Sequence, residues 1–190
     1  MSSVIISGDT SGAITVSAPA VAGTNTLTLQ AATATSAVNT LATAVASTSG
    51  TSIDFTGLPS WVKRITVMFQ GVSTSGTSAI LVQIGSGSVT TSGYISTSSS
   101  LGAGVGTSNG TTGFFMYAVA AANINSGNMT ITSLGSNIWI SSHALKNSTT
   151  STCVGGGDVT LSGTLDRVRI TTVNGTDTFD AGTINILYEG

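Results

Sequence analysis

The sequence predicts an all-β protein: a β-sandwich of jelly-roll-like type, preceded by a short N-terminal extended β arm and a linker. Three observations predict it. Through residues 51–190, short runs of Val, Ile, Leu or Phe alternate with Thr, Ser or Gln, the period-two pattern of half-buried strands. Glycines and an Asn174-Gly175 pair punctuate the runs, and Asn-Gly favours hairpin turns because both residues tolerate positive φ. No segment of this region carries a convincing helical period.

Residues 1–32 hold three short runs, Val4-Ile5-Ile6, Ala13-Ile14-Thr15-Val16 and Thr26-Leu27-Thr28-Leu29. Each is too short to bury a face alone and needs a partner strand or another chain. In residues 33–50, Ala34, Val38, Leu41 and Val45 are spaced four, three, four, the a/d spacing of a coiled coil. The pattern lasts under two heptads, so a short helix packed on copies of itself and a plain linker both fit. The division is therefore 1–50 for arm and linker and 51–190 for the sandwich. About eight strands are expected in the latter, around Ile65–Phe69, Ile80–Ile84, Phe114–Tyr117, Met129–Ile131, Asn137–Ile140, Val159–Leu161, Arg167–Ile170 and Ile184–Tyr188.

Charged residues make up only 6% of the chain, against about 25% in an ordinary domain. Ser and Thr together supply about a third. Disorder does not explain this, because the chain is rich in stiff, β-branched Val, Ile and Thr and poor in charge. Strands with Thr, Ser or Asn on their polar face lack the charges that normally block edge pairing. The expected remedy is coverage by copies of the same chain, most simply as a homotrimer. With Lys63, Arg64, Lys146, Arg167 and Arg169 as the only cations and a net charge of −2, phosphate neutralisation of nucleic acid is not expected. No apolar run approaches a membrane span, and the N-terminal residues lack the pattern of a signal peptide, so accumulation in the cytoplasm is expected.

The opening Ile6-Ser-Gly-Asp-Thr-Ser-Gly-Ala-Ile-Thr-Val16, continuing through Ala18-Pro-Ala-Val-Ala-Gly-Thr-Asn-Thr-Leu-Thr-Leu29, resembles a segment that recurs in bacteriophage tail proteins. Ile53-Asp-Phe-Thr-Gly-Leu-Pro-Ser-Trp-Val-Lys-Arg-Ile-Thr-Val67 is similar to the start of the C-terminal β-domain of phage tail fibres, and the stretch from Leu165 to Glu189 to its end. The resemblance implies a virion component, usually trimeric, whose β-sandwich faces outward and often touches the host surface. It implies partners among tail or baseplate proteins, or capsid proteins if the chain decorates the head. It carries no catalytic motif and no binding residues. The arm is shorter than the shaft of many tail fibres, which leaves room for a short appendage, a tip module or a capsid decoration protein.

The chemistry-bearing residues are few. His143 stands alone, and serines are too common for one beside it to signal a Ser–His–acid triad; it is expected as an exposed or hydrogen-bonded loop residue. Asp177 and Asp180 fit a hairpin turn better than a calcium loop or a glycosidase pair. Gly102–Gly106 and Gly155–Gly157 lack the Lys-Ser or Lys-Thr of a phosphate loop and are expected as surface loops. Cys153 has no partner for a disulfide and is expected as a small, semi-buried residue. No catalytic residue, metal or cofactor is expected. Sugar recognition is the functional option for single residues, with Tyr94, Tyr117 and Trp139 as candidates. Trp139 sits between Ile138 and Ile140 and on that alternation should point away from their core, toward a trimer interface or a ligand. Trp61 is expected to pack, and the loop tips within 93–112 to form the distal surface.

Overall fold

In a computed structural model of the chain, two short strands near the N-terminus are described together with residues 38–190, apart from 104 and 119. The chain divides into two units, Met1–Ser36 and Ala37–Gly190. In the first, β1 (Ser3–Ser7) pairs antiparallel with β2 (Ala13–Ser17), with Ile5 opposite Thr15. Both strands match the predicted runs. The third run, Thr26–Leu29, lies outside the described residues.

The second unit is all β, with two antiparallel sheets packed face to face. The larger has nine strands. Six of them run in the order β9 (Ile95–Gly102), β14 (Ser151–Thr160), β13 (Ile138–Lys146), β12 (Asn125–Gly135), β6 (Arg64–Thr74) and β16 (Phe179–Glu189). β10 (Gly106–Gly110) extends one edge, and β3 (Asn39–Leu41) and β4 (Val45–Ala46) pair with β16 at the other. The smaller sheet runs β11 (Phe114–Met116), β7 (Ile80–Ser86), β15 (Arg167–Thr172) and β5 (Ser52–Thr56), with β8 (Ser88–Val89) beside β7. The long-range pairs are nested: β6 with β16, β7 with β15, β9 with β14. They alternate between the two sheets, which is the wrapping of a jelly roll.

The core follows the period-two pattern. Ile65, Val67 and Phe69 of β6 face Val168 and Ile170 of β15, Ile80, Val82 and Ile84 of β7, and Ile184 and Ile186 of β16 in one buried cluster. Each fully buried aliphatic contributes roughly 1.5–3 kcal/mol relative to exposure. β7 is buried on both faces, because Leu81 on its outer side packs with Ala79 and Phe115 in a second small cluster. Phe115 stands opposite Leu81 in the β11–β7 pair, so the apolar character of residues 114–117 on both faces is used within one chain.

Three expectations are corrected. Val38, Leu41 and Val45 are not on a helix: among the described residues 38–50 the chain runs as β3 and β4, hydrogen-bonded to β16. Ala42 N–H donates to the Ile186 carbonyl (2.9 Å) and Ser47 N–H to that of Gly182 (2.9 Å). A Thr- and Ser-rich helix of under two heptads is marginal by itself, and the free edge of β16 gives these residues sheet hydrogen bonds instead. These strands belong to the unit Ala37–Gly190. The described residues of 51–190 form twelve strands, β5 to β16, where about eight were expected. Gly155–Gly157 form no loop and lie in the middle of β14.

Candidate functional site

The interior changes character along the large sheet. At the end formed by β9, β13 and β14, the inward positions are Ser96, Ser98 and Ser100, Ser141 and His143, and Ser151 and Cys153, all buried. Small hydroxyls here join the two sheets. Phe115 N–H donates to Ser96 Oγ (3.0 Å) and Tyr117 N–H to Ser98 Oγ (3.0 Å). Inward serines of β9 thus satisfy the backbone of β11 in the facing sheet, where a larger side chain would hold the strands apart.

His143 is a core residue of β13, not an exposed loop residue. Its Nε2 lies 2.9 Å from Ser98 Oγ, and its Nδ1 has no hydrogen-bond partner within the protein. Burial lowers its pKa to about 4, so the ring is neutral at physiological pH. Gly155, opposite His143 in the β13–β14 register, makes room for it. A Cβ on Gly155 would lie 2.5 Å from His143 Cε1 and would collide with the Thr97 carbonyl oxygen. Cys153 is fully buried next to this cluster, and burial pushes its thiol up to about 11. A Ser–His contact is therefore present, but Ser98 is wholly enclosed, its oxygen already accepts the Tyr117 amide, and no third group orients the imidazole.

The three aromatic candidates separate. Tyr94 is fully buried. Its hydroxyl accepts from Ile84 N–H (2.8 Å) and donates to the Ile84 carbonyl (3.1 Å), and its ring meets Phe114 edge-on at 5.0 Å. It closes the edge of β7 and offers a ligand no surface. Trp139 also points inward and is 4% exposed, while Ile140 is 44% exposed. The expected phase was inverted. β13 starts after a turn in which Ser136 and Asn137 have positive φ, and its alternation is fixed by Trp139, Ser141, His143 and Leu145 facing in. Trp61 packs at 5.7 Å from Tyr188. Tyr117 alone is half-exposed, just after β11.

Tyr117 borders a cavity of about 290 Å³ at one end of the sandwich, between the β9–β10, β11–β12 and β13–β14 connections. Asn123, Asn147, Ser148 and Ser151 supply its polar lining, and Ala103 and Ala120 its apolar part. Asn147 is 2% exposed. Its Nδ2 donates to the Tyr117 carbonyl (3.2 Å), which fixes the amide orientation because a carbonyl requires a donor. Its Oδ1 accepts no hydrogen bond from the protein. A wider groove of about 380 Å³ lies on the outer face of the smaller sheet, beside Gln83, Thr112, Arg169, Thr171 and Asn174. Its polar groups are largely satisfied internally: Gln83 Nε2 donates to the Thr112 carbonyl (2.7 Å), and Arg169 makes a two-point pair with Asp54 (2.7 and 3.1 Å).

The acids serve turns and pairs. Asp177 accepts from Asn174 Nδ2 (2.7 Å) and from Ser78 N–H (3.0 Å), and these bonds hold its carboxyl below the usual range. Asn174 Oδ1 accepts from the amides of Thr176 and Asp177, an Asx-type turn. It is not the hairpin expected of Asn174-Gly175 and of Asp177 and Asp180, because the β15 and β16 it connects lie in different sheets. Asp180 accepts from Ser73 Oγ. Asp166 is held low by Arg167. Among the described residues no three His, Cys, Asp or Glu side chains gather in a way that could hold a metal ion. No family model, curated protein sequence or solved structure matches this chain.

Proposed function

We propose that this chain is a bacteriophage virion protein, a short tail fibre or tip that contacts the host surface as a homotrimer. The observation that carries the reading is the outer face of the large sheet. Across β9, β14 and β13 the outward residues align in four rows: Ile95, Asp158, Ile140; Thr97, Gly156, Ser142; Ser99, Val154, Ala144; Leu101, Thr152, Lys146. Two of these twelve positions are charged. Ile95, Leu101, Ile140 and Val154 are 69, 52, 44 and 37% exposed. A nearly uncharged strand face of this kind invites coverage, and neighbouring copies of the same chain around a three-fold axis would provide it. The three sequence segments similar to phage tail proteins support the virion assignment.

Attachment of weak sites on one rigid three-fold axis raises apparent affinity without any strong single site. The β1–β2 hairpin forms a unit of its own and suits an anchor. The same hairpin favours a second reading, a capsid decoration or head-fibre protein that inserts this unit between capsid subunits. Gold-labelled antibody against the chain, viewed on intact virions by electron microscopy, tests both. Gold at the tail supports the fibre, gold over the head supports decoration, and unlabelled virions overturn both. Sedimentation equilibrium tests the trimer, and a monomer at micromolar concentration refutes it.

A further inference from the structure

We infer that the cavity between Tyr117 and Asn147 is a binding site for one ring of a neutral sugar. The inference rests on the proposed host-contacting role for its biological setting, but its geometry stands apart from it. Three features select the ligand. Among the described residues the lining carries no charged side chain, so neither an anion nor a cation meets a counter-charge from them. Its polar groups are hydroxyls and amides, from Ser100, Asn123, Asn147, Ser148 and Ser151, which both donate and accept and so match a ligand made of vicinal hydroxyls. Tyr117 and Ala120 provide the apolar part that the C–H face of a pyranose ring covers. The volume of about 290 Å³ lies at the small end of ligand pockets and suits one ring, not a peptide segment.

Asn147 gives the site its direction. Buried polar atoms are ordinarily paired, and its Oδ1 is an acceptor left over after Nδ2 is committed to the Tyr117 carbonyl. Asn147 lines the cavity, and a sugar hydroxyl is a donor of the kind this oxygen lacks. Tyr117 is held for the purpose: its N–H donates to Ser98 Oγ, its carbonyl accepts from Asn147, and its ring hydroxyl rests over Gly106, where any Cβ would collide with it. The floor is therefore preorganised by backbone bonds on both sides of the aromatic ring.

The test is a ¹H–¹⁵N NMR titration of the full chain with the methyl glycosides of glucose, galactose and N-acetylglucosamine, each taken to tens of millimolar. The expected result is a saturable shift of the Asn147 side-chain amide and the Tyr117 and Ser148 backbone amides by at least one of the three. Affinity should be on the order of 1 mM. Asn147→Ala should weaken it on the order of fivefold to tenfold, the loss of one buried hydrogen bond. If that variant fails to fold, the half-exposed Asn123→Ala and Ser148→Ala keep the test open, and each should weaken binding measurably. No shift with any glycoside overturns the inference, as do shifts elsewhere that the variants leave unchanged. Absent binding with labelled virions removes the sugar site alone, and binding with unlabelled virions removes the virion reading alone.

Discussion

Acid should destabilise this protein through one residue, His143. Its pKa is lowered by burial from 6.5 to about 4, so the folded chain keeps it neutral where the unfolded chain protonates it. Between those values the unfolded state binds more protons, and stability falls as pH falls. The full effect is about 2.5 units at 1.36 kcal/mol each, roughly 3 kcal/mol, of which about 2 kcal/mol is lost by pH 5. Below the folded pKa no further loss comes from this group. In urea, about 2 kcal/mol moves the unfolding midpoint by about 1 M between pH 7 and pH 5. The measurement is urea unfolding at fixed protein concentration, beside a His143→Gln variant. Asp166 and Asp177, both held low, lose their contribution only as pH falls through their folded values, below this window and equally in both proteins. Two results refute the reasoning: equal midpoint shifts in the two proteins, or an NMR titration of the His143 Cε1 proton centred near 6.5.

Three further outcomes follow from the same region. Gly155→Ala drives a Cβ against the Thr97 carbonyl and His143, and thermal unfolding should show a loss of roughly 1–3 kcal/mol, while exposed Thr97→Ala stays within about 0.5 kcal/mol. Ser98→Ala leaves the Tyr117 amide and the His143 Nε2 without their partner, and the same assay should register roughly 1–3 kcal/mol for each orphaned group. The Cys153 thiol, buried and raised to about 11, should resist alkylation by iodoacetamide at pH 8 in the native protein and react on unfolding, as read by intact mass; rapid native labelling contradicts its burial.

The aliphatic strands were legible in the sequence, and the hydroxyl strands were not. Ile65, Val67 and Phe69 announce β6 by alternation, and Val168 and Ile170 announce β15. β9 reads Ile-Ser-Thr-Ser-Ser-Ser-Leu-Gly, and its buried residues are Ser96, Ser98 and Ser100. No hydropathy pattern separates an inward serine from an outward threonine, so the strand passes for a loop. Gly155–Gly157 mislead for a related reason. A glycine run suggests a flexible turn, yet Gly155 and Gly157 lie where any Cβ would collide with β9, and Gly155 must also clear His143. The Trp139 error came from letting Ile138 and Ile140 set the phase; following the alternation through to Leu145 would have set it correctly. Of the cavity, Tyr117 was legible as an aromatic ending the apolar run Phe114–Tyr117. Asn147 was not, because its significance lies in one unpaired oxygen, which only three-dimensional packing reveals.

The nested pairing has a consequence for biosynthesis. β16 lies between β6 and β3, so one of the inner strands of the large sheet is synthesised after all the strands it pairs with. Until it arrives, β6 has an open edge and β3 and β4 have no partner. Hairpin β12–β13 can close early, but the pairs that wrap the sandwich join the two ends of the unit and wait for nearly the whole of it. Such distant pairings form slowly and leave strand edges exposed meanwhile. Nascent chains of a charge-poor protein queued on one messenger would hold those edges near one another, where assembly between copies competes with completion of each.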